Sequence, residues 1–340
     1  MGLCTSIEAI PVQPPRPVVP QRPQRPERPQ RETKHHQSHV TQQHDPSIDW
    51  SRFRALVPLR QEFFIRPQDI EFVRRLPSAM NITCLVHVHG EAVVLKAVPQ
   101  DGRDTRAAMQ SLVAEIKNMS RIHHPNIVDF RGFTFMKSLG LCAAFESMQT
   151  KSLWDVLSHP KLTARLSWPK QKIQYAIDVC RALDYMHSLR PKLIHRNVKA
   201  SKVRLNHGFR VAKLSGFDLA RDQTFEKTMT KAGLGDIQWS APELLIDGDY
   251  SELVDIYAFG VLLVELDTCE VPLKAAIRRM SDVELHTALK TGRLRPAPSS
   301  SCPPEVAKVI KHCLQFDPRN RPSSSRLLRM LLAVQTNLNR

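Results

Sequence analysis

The fold is constrained most strongly by a series of short motifs that occur in one order between residues 93 and 322. In the centre, residues 193–202 read LIHRNVKASK and residues 213–221 read KLSGFDLAR. The other motifs are VVLK at 93–96, VAEI at 113–116, WSAPE at 239–243, DIYAFGV at 255–261 and DPRNRP at 317–322. Each motif is weak evidence alone, but the joint series is highly specific for one architecture.

The series resembles the motifs of eukaryotic protein kinases, and the resemblance covers residues 68–335. It implies an α+β fold of two lobes, a small β-rich N-lobe and a larger helical C-lobe. TGRLRP at 291–296 and CLQFDP at 313–318 are similar to the tyrosine-kinase-like branch. The sequence pattern in this region predicts strands at 69–76, 83–88 and 92–98, and helices at 105–122 and 168–188.

Three substitutions fall on positions that carry the chemistry in this family. Asn197 stands where the resemblance places the catalytic Asp, Lys202 replaces the metal-binding Asn, and Gly216 replaces the metal-binding Asp. Lys199, which supports the transferring phosphate in kinases of the Ser/Thr type, is retained. An amide cannot accept a proton at neutral pH, so Asn197 cannot act as the base. No catalytic set is intact, and we expect a pseudokinase, a kinase fold kept for binding.

The charge around these positions argues against a metal ion independently of the alignment. Residues 186–216 contain no Asp or Glu, whereas Mg²⁺ requires carboxylate or carbonyl oxygens. In an extended segment Asp218 would lie ~6–7 Å from the usual ligand position, so we do not expect it to replace that ligand. Lys202 can instead carry the charge of the metal and attract an unmetallated phosphate, although basic groups here can equally point into water. We expect no cofactor, and ATP binding that is weak or metal-free at most.

The loop that covers the phosphates in kinases has lost its glycines, but one ion pair of the nucleotide pocket is kept. Residues 76–82 read LPSAMNI, and side chains at these points block a close approach of backbone N–H groups to phosphate. The resemblance pairs Lys96 with Glu115, a pair that contacts nucleotide phosphates in kinases. In this sequence we expect the pair to be structural.

The resemblance also identifies the residues around the adenine position. It makes Phe145 the gatekeeper and places Glu146 and Met148 in the hinge between the lobes. Val94 and Arg204 fall where two small or apolar side chains normally sandwich the purine. A guanidinium in place of an apolar floor removes packing that a purine needs.

A regulatory segment and a structural ion pair are implied as well. In the family the equivalent of Arg196 binds a phosphate on the activation segment, here residues 216–243. Phosphorylation of this segment is expected at one or more threonines, and the candidates are Thr224, Thr228 and Thr230. The resemblance also pairs Glu243 with Arg321 in a buried salt bridge and places Asp255 at the start of a buried central helix.

The N-terminal tail carries a candidate lipidation signal and a candidate partner-binding segment. Residues 1–10 begin MGLCTS, which matches the N-myristoylation pattern at Gly2, and Cys4 offers a second acylation site. Residues 11–50 form a Pro/Arg-rich segment that we expect to be a disordered linker. Within 11–31 proline recurs at the period of polyproline II, which suits a Src-homology-3-type domain or a stiff spacer; these alternatives are compatible.

Composition narrows the location and the partners. The net charge is +16, which favours anionic partners such as a membrane surface, while the sequence contains no nucleic-acid-binding motif. Seven scattered Cys without a CxxC pair predict a reduced compartment. No apolar stretch approaches the ~20 residues that span a bilayer. We therefore expect a cytoplasmic protein at the cytosolic face of a membrane.

Two functions remain open at this point. The first is a membrane-tethered signalling scaffold or allosteric partner that binds other signalling proteins, including an active kinase. The second is an unconventional Ser/Thr protein kinase that transfers phosphate from ATP with Lys96, Lys199 and Asp218.

Overall fold

The structure, a computed structural model, describes residues 48–78, 81–99, 105–148, 151–222, 234–246 and 249–339. These residues belong to one compact unit, Ile48–Arg340, while a second unit comprises Met1–Ser47. The predicted lipidation sites Gly2 and Cys4 and the proline-rich segment 11–31 lie outside the described residues.

The N-lobe is built on an antiparallel sheet of five strands in the order β1-β2-β3-β5-β4. The strands are β1 (Ile70–Leu76), β2 (Ile82–Val88), β3 (Glu91–Ala97), β4 (Phe130–Met136) and β5 (Gly140–Glu146). Side chains alternate along β3, so Val93 and Leu95 are buried on one face while Lys96 lies on the other. The three strands predicted from the sequence are confirmed to within one residue at each end.

Two helices accompany the sheet, α1 (Arg60–Phe63) before it and α2 (Thr105–Met119) between β3 and β4. α2 ends three residues before the predicted end at Ile122, although it starts where the sequence predicts. Its inner face buries Leu112, Ile116 and Met119 in the main hydrophobic core. Glu115 is on the same helix and is only 2% exposed.

Residues 50–66 pack against helix α2 and strand β4 of the N-lobe. Trp50–Leu59 is a 3-10 helix, and Asp49 caps it by accepting a hydrogen bond from the Ser51 backbone N–H at 3.1 Å. Leu56 is fully buried in the same core as α2. The Trp50 ring packs edge-on against Phe133 and other aromatic side chains of the sheet, with centroids 6.5 Å apart. This segment therefore contributes core residues ahead of the first strand.

The C-lobe is mainly helical. Its helices are α3 (Leu153–Leu157), α4 (Pro160–Thr163), α5 (Ile173–Ser188), α6 (Leu253–Thr268), α7 (Lys274–Ile277), α8 (Asp282–Lys290), α9 (Pro304–Cys313) and α10 (Ser324–Leu338). Two short sheets pair β6 (Leu193–Ile194) with β9 (Arg221–Asp222) and β7 (Val203–Leu205) with β8 (Ala212–Leu214). A π-helical turn, Trp168–Lys172, starts the helix predicted at 168–188.

Helix α6 lies at the centre of this lobe and is buried over almost its whole length. An apolar helix that is buried on all sides anchors the loops packed around it. No described helix is both long and apolar enough to cross a membrane. The predicted two-lobed α+β fold is confirmed, and α6 supplies the support for the loops considered next.

Candidate functional site

Asp255, at the start of α6, fixes the loop that contains Asn197. Its carboxylate is fully buried and accepts hydrogen bonds from the backbone N–H groups of His195 at 2.8 Å and Arg196 at 2.7 Å. Burial opposes ionisation of Asp255, but the hydrogen bond with His187 and the nearby histidines hold its pKa below the usual range. Asn197 follows directly, with 8% exposure. The buried carboxylate of Asp255 therefore fixes the backbone of this loop. At the position that the resemblance assigns to the catalytic base, the loop carries the amide of Asn197.

Lys199 and the end of this loop are held by a second buried acid. Glu265 on α6 accepts a hydrogen bond from the Ala200 backbone N–H at 2.9 Å and another from Trp239 Nε1 at 2.9 Å. Burial raises the pKa of Glu265 to about 7. The Lys199 ammonium lies over the Trp239 ring, 5.3 Å from its centroid.

Four charged side chains form a continuous chain across the cleft. Lys96 Nζ donates to Glu115 Oε2 at 2.7 Å, so the predicted pair is present and joins β3 to α2. Lys96 Nζ is also 3.8 Å from Asp218 Oδ1. Lys202 Nζ donates to the same Asp218 oxygen at 3.3 Å. Two ammonium groups thus share one carboxylate at the position where kinases hold their metal ions.

Gly216 makes room for Lys202. A Cβ atom on Gly216 would lie 2.5 Å from Lys202 Cδ and 3.0 Å from Lys202 Nζ. The lysine side chain therefore occupies the space into which an aspartate at 216 would extend. Gly216 also has a φ of +79°, in the left-handed region that favours glycine.

The expectation that Asp218 lies too far away rested on an extended segment, and that premise is wrong. Phe217–Leu219 forms a 3-10 turn that begins after the left-handed Gly216. A 3-10 helix rises ≈ 2.0 Å per residue, against ≈ 3.3 Å in a strand, so the turn shortens the separation of residues 216 and 218 by roughly 2–3 Å relative to an extended chain. The Phe217 ring anchors the turn by packing edge-on against His195, with centroids 4.7 Å apart.

These donors do not fit a magnesium ion. Mg²⁺ needs octahedral oxygen ligands at 2.0–2.1 Å. Here the two family ligand positions carry Lys202 and Gly216, and the carboxylate of Asp218 already faces two ammonium groups. Burial raises the pKa of Asp218, but the charges of Lys202 and Lys96 outweigh it and lower the pKa overall. Among the described residues no group of three or more His, Cys, Asp or Glu side chains could hold a metal ion.

The hinge follows β5. Phe145 packs edge-on against Phe130, with centroids 5.8 Å apart, and Met148 is half-buried two residues after the strand. Glu146 accepts hydrogen bonds from Lys213 Nζ at 2.6 Å and from the Asp129 backbone N–H at 2.7 Å. The Glu146 carboxylate therefore already has hydrogen-bond partners inside the protein.

Arg204 lies beside this hinge. In the pairing of β7 with β8, Arg204 is directly opposite Lys213, so both side chains lie on one face of the ribbon. Val203 and Leu205 point into the core, while Arg204 is exposed. Arg204 is therefore a charged, exposed residue at the position that the resemblance assigns to the purine floor. The glycine-free loop above it is described only in part, since residues 79–80 lie outside the described residues.

Arg196 reaches towards the activation segment. Its Nε and Nη1 atoms are buried and have no hydrogen-bond partner among the described residues. Its guanidinium lies 5.3 Å from the centroid of the Tyr250 ring. Burial, and then the charge of Arg196, lower the pKa of Arg221. The candidate phosphorylation sites all lie outside the described residues, namely Thr224, Thr228 and Thr230.

The structural pair predicted in the C-lobe is present. Arg321 donates two hydrogen bonds to the Glu243 carboxylate, from Nη1 at 2.6 Å and from Nη2 at 2.8 Å. The Arg321 side chain is fully buried and also donates to the carbonyl of Leu253 at 3.0 Å. This pair ties the end of the activation segment to the C-lobe.

Sequence analysis missed several contacts that join α2 to the segment after Asp218. Asn118 Nδ2 donates to the Ala220 carbonyl at 3.0 Å. Arg121 donates to both oxygens of Asp222, at 2.7 and 3.1 Å. In the predicted helix 105–122, residues 118 and 121 fall on one face, whereas in the structure α2 ends at Met119 and Arg121 lies in the turn that follows. Nothing in the sequence identified their partners, which are about a hundred residues away.

Comparison with known proteins adds a family. Residues 82–331 match the sequence model described as "Protein tyrosine and serine/threonine kinase". The serine/threonine/tyrosine-protein kinase HT1 of Arabidopsis thaliana is 32% identical over 241 residues, which are 71% of this chain and 59% of that protein. The probable serine/threonine-protein kinase drkC of Dictyostelium discoideum is 29% identical over 251 residues, or 72% and 32% of the two chains.

Mitogen-activated protein kinase kinase kinase 10 of Mus musculus is 29% identical over 255 residues, which are 72% of this chain and 26% of that protein. The chain therefore spans less than two thirds of the length of each of these relatives. The similarity covers the two lobes and stops short of the N-terminal tail.

Proposed function

The chain belongs to the protein tyrosine and serine/threonine kinase family, and from that premise we propose that it is a pseudokinase that acts as a signalling scaffold or allosteric partner. The observation that carries the proposal is the position of Lys202. Its ammonium lies against Asp218, in the space left by the missing side chain of Gly216. A cation built into the protein at this point competes with the divalent ion on which phosphoryl transfer depends.

The base position supports the same proposal. Asn197 keeps the shape of the loop, and Asp255 holds the loop in place. In protein kinases the equivalent Asp accepts the proton of the substrate hydroxyl, which an amide cannot do. Removal of one catalytic group from a coupled set typically costs orders of magnitude in rate.

The tail gives the proposal a location. Acylation at Gly2 and Cys4 would supply two membrane signals, which together hold a protein more firmly than one myristoyl chain. The proline-rich segment 11–31 would then present a polyproline II ligand to a Src-homology-3-type domain near the cytosolic face of the membrane. The two lobes would bind a further signalling protein, for which an active kinase is our first candidate.

A second function is favoured by one feature of the cleft. The Lys96–Glu115 pair is formed, and Asp218 approaches Lys96 as a metal-binding carboxylate would. The relatives named above are described as kinases. An unconventional Ser/Thr kinase that uses Lys96, Lys199 and Asp218 is therefore the alternative, in which Lys202 moves aside when nucleotide binds.

Phosphotransfer measurements separate the two functions. Purified protein is incubated with γ-labelled ATP, Mg²⁺ or Mn²⁺ and a general Ser/Thr substrate, beside the variant Lys96→Met as a matched control. We expect equal, background incorporation in both samples and no rise in melting temperature with ATP, with or without Mg²⁺. Metal-dependent incorporation that is lost in Lys96→Met would replace the scaffold proposal with the kinase alternative.

The tether is tested separately in cells. Labelling with an alkynyl myristate should modify the wild-type chain and leave Gly2→Ala unmodified. Cys4→Ser should keep the label but release the protein from the membrane fraction, because one chain gives only marginal binding. Equal membrane recovery of all three proteins would remove acylation from the proposal.

A further inference from the structure

We propose that Lys202 and Asp218 form a built-in substitute for a metal–nucleotide complex, which holds helix α2 inward against the cleft in the absence of any ligand. The inference goes beyond the proposed function, since a scaffold would work equally well with an open or a mobile cleft. It concerns the conformational state that the protein offers to its partners.

The first support is the alternation of charge. The order Glu115, Lys96, Asp218, Lys202 places each charge beside one of opposite sign, at 2.7, 3.8 and 3.3 Å. The chain runs from a deeply buried end, where the Glu115 side chain is 2% exposed, to Asp218 at 30%. Desolvation lowers the pKa of Lys96, but Glu115 and Asp218 outweigh it and raise the pKa overall, so Lys96 remains charged. No outside ion is needed to balance these four groups.

The second support is the fit between two substitutions. In its present conformation Lys202 passes over residue 216 at a distance that leaves no room for a side chain there, since a Cβ atom would lie 2.5 Å from Lys202 Cδ. The left-handed Gly216 in turn starts the 3-10 turn that brings Asp218 back to the cleft. One substitution without the other would leave either a steric collision or an unfilled space. The pair therefore forms one structural unit.

The third support is that α2 and the turn that follows it are attached to one segment at three points. Glu115 reaches Asp218 through Lys96, Asn118 donates to Ala220, and Arg121, in the turn after α2, donates to Asp222. The contacts run in the same order along both stretches of chain, from residue 115 to 121 and from residue 218 to 222. They are made by protein groups alone.

Amide hydrogen exchange of α2 tests the proposal. Lys202→Met removes the ammonium but keeps most of the side-chain stem over Gly216, so the fold should survive. Asp218→Asn removes the carboxylate shared by two lysines. Lys192→Met is the matched control, because Lys192 makes a surface ion pair with Glu252 far from α2 in the sequence. Exchange in α9 and α10 reports global unfolding in each variant.

We expect amides near Glu115 to exchange about five times faster in Lys202→Met and at least ~10 times faster in Asp218→Asn, where Lys202 loses Asp218 and Lys96 keeps only Glu115. Lys192→Met should match the wild type, and ATP with EDTA or with Mg²⁺ should leave wild-type exchange unchanged. If exchange in α2 is equal in all four proteins, or if wild-type α2 becomes protected only when ATP is added, the proposal is wrong.

Phosphotransfer by the same samples keeps this inference apart from the proposed function. Faster exchange in the cleft variants together with background phosphotransfer supports both. Faster exchange together with metal-dependent phosphotransfer by the wild type would refute the scaffold proposal but support the role of the four charged residues, Glu115, Lys96, Asp218 and Lys202. Equal exchange of α2 in all four proteins, together with background phosphotransfer, would refute the role of these four charged residues and leave the scaffold proposal unaffected. A variant that exchanges faster in α9 and α10 as well is replaced by Lys202→Gln, whose shorter uncharged side chain gives the same contrast.

Discussion

Truncation of Leu56 to alanine should destabilise the whole unit and loosen helix α2, although Leu56 precedes the first strand and lies far from the cleft in the sequence. Leu56 has no exposed surface and packs in the core that contains Leu112 and Ile116 of α2. The 3-10 helix that carries it is held at its start by the Asp49 cap and by the Trp50 ring. The side chain therefore forms part of the support behind the helix that carries Glu115.

The expected magnitude follows from burial. A buried Leu→Ala change loses the transfer free energy of the removed carbons and leaves a cavity, and costs about 3–5 kcal/mol when the surroundings cannot collapse. The next residue gives a matched control, because Val57 is 48% exposed. Val57→Ala in the same helix should cost less than about 0.5 kcal/mol.

Urea denaturation followed by tryptophan fluorescence measures both costs, and hydrogen exchange locates the effect. We expect Leu56→Ala to lower the free energy of unfolding and to speed exchange at Ile116, while Val57→Ala changes neither. If the two variants are equally stable, residues 50–59 do not belong to the core. If Leu56→Ala speeds exchange in α2 but leaves the unfolding midpoint unchanged, the segment is a separable support rather than part of the cooperative unit.

Three further changes test individual contacts. Arg321→Ala should cost about 3–5 kcal/mol in urea denaturation, because it leaves the Glu243 carboxylate without its buried partner; a cost below ~1 kcal/mol would contradict the pairing. Burial raises the pKa of Glu265 from 4.5 in the unfolded chain to about 7 in the folded protein. Between these two pH values the folded state binds a proton that the unfolded state has lost, so the free energy of unfolding falls by about 3 kcal/mol as pH rises through this range. The difference between wild type and Glu265→Gln should carry this slope and become flat above pH about 7, whereas equal pH profiles would refute the shift. Gly132→Ala should lower the free energy of unfolding measured in urea by about 2 kcal/mol or more, since its Cβ would collide with the Phe63 carbonyl oxygen at a φ of +145°; a neutral result would argue against that close approach.

The parts of the fold that follow from local pattern were predictable from the sequence. The run AVVLKAV at 92–98 located β3 to within one residue, and the structure buries every second side chain along it, as expected for a strand with one covered face. The motif series gave the two lobes, which the structure and the family match confirm. The Glu243–Arg321 pair was implied by the resemblance and is present. Residues 51–67 were assigned to neither linker nor kinase domain, since a 3-10 helix has no strong periodic signal.

The cleft was predictable in its residues and not in its geometry. The resemblance places Lys202 and Gly216 at the two metal-ligand positions of the family, but each was considered alone, and the distance to Asp218 was judged from an extended chain. A glycine at 216 permits a left-handed residue, which turns the chain and shortens that distance. The sequence did contain a usable signal, because Lys202 is longer than the Asn of the family and Gly216 is smaller than the Asp. Such a pair of changes indicates that the longer side chain fills the space left by the smaller residue.

That signal bears on how the loss of catalytic groups is interpreted. If Asn197, Lys202 and Gly216 were independent losses, the cleft would be left with an unfilled space and unbalanced charge, both of which destabilise a protein. Lys202 instead fills the space over Gly216 and neutralises Asp218, while Asp255 still orders the loop around Asn197. On the proposal above, these contacts favour a closed cleft without a ligand. Reversion of Lys202 to Asn without a change at 216 should therefore lower stability rather than restore metal binding, because it removes a partner of Asp218 and supplies only an amide oxygen as a ligand.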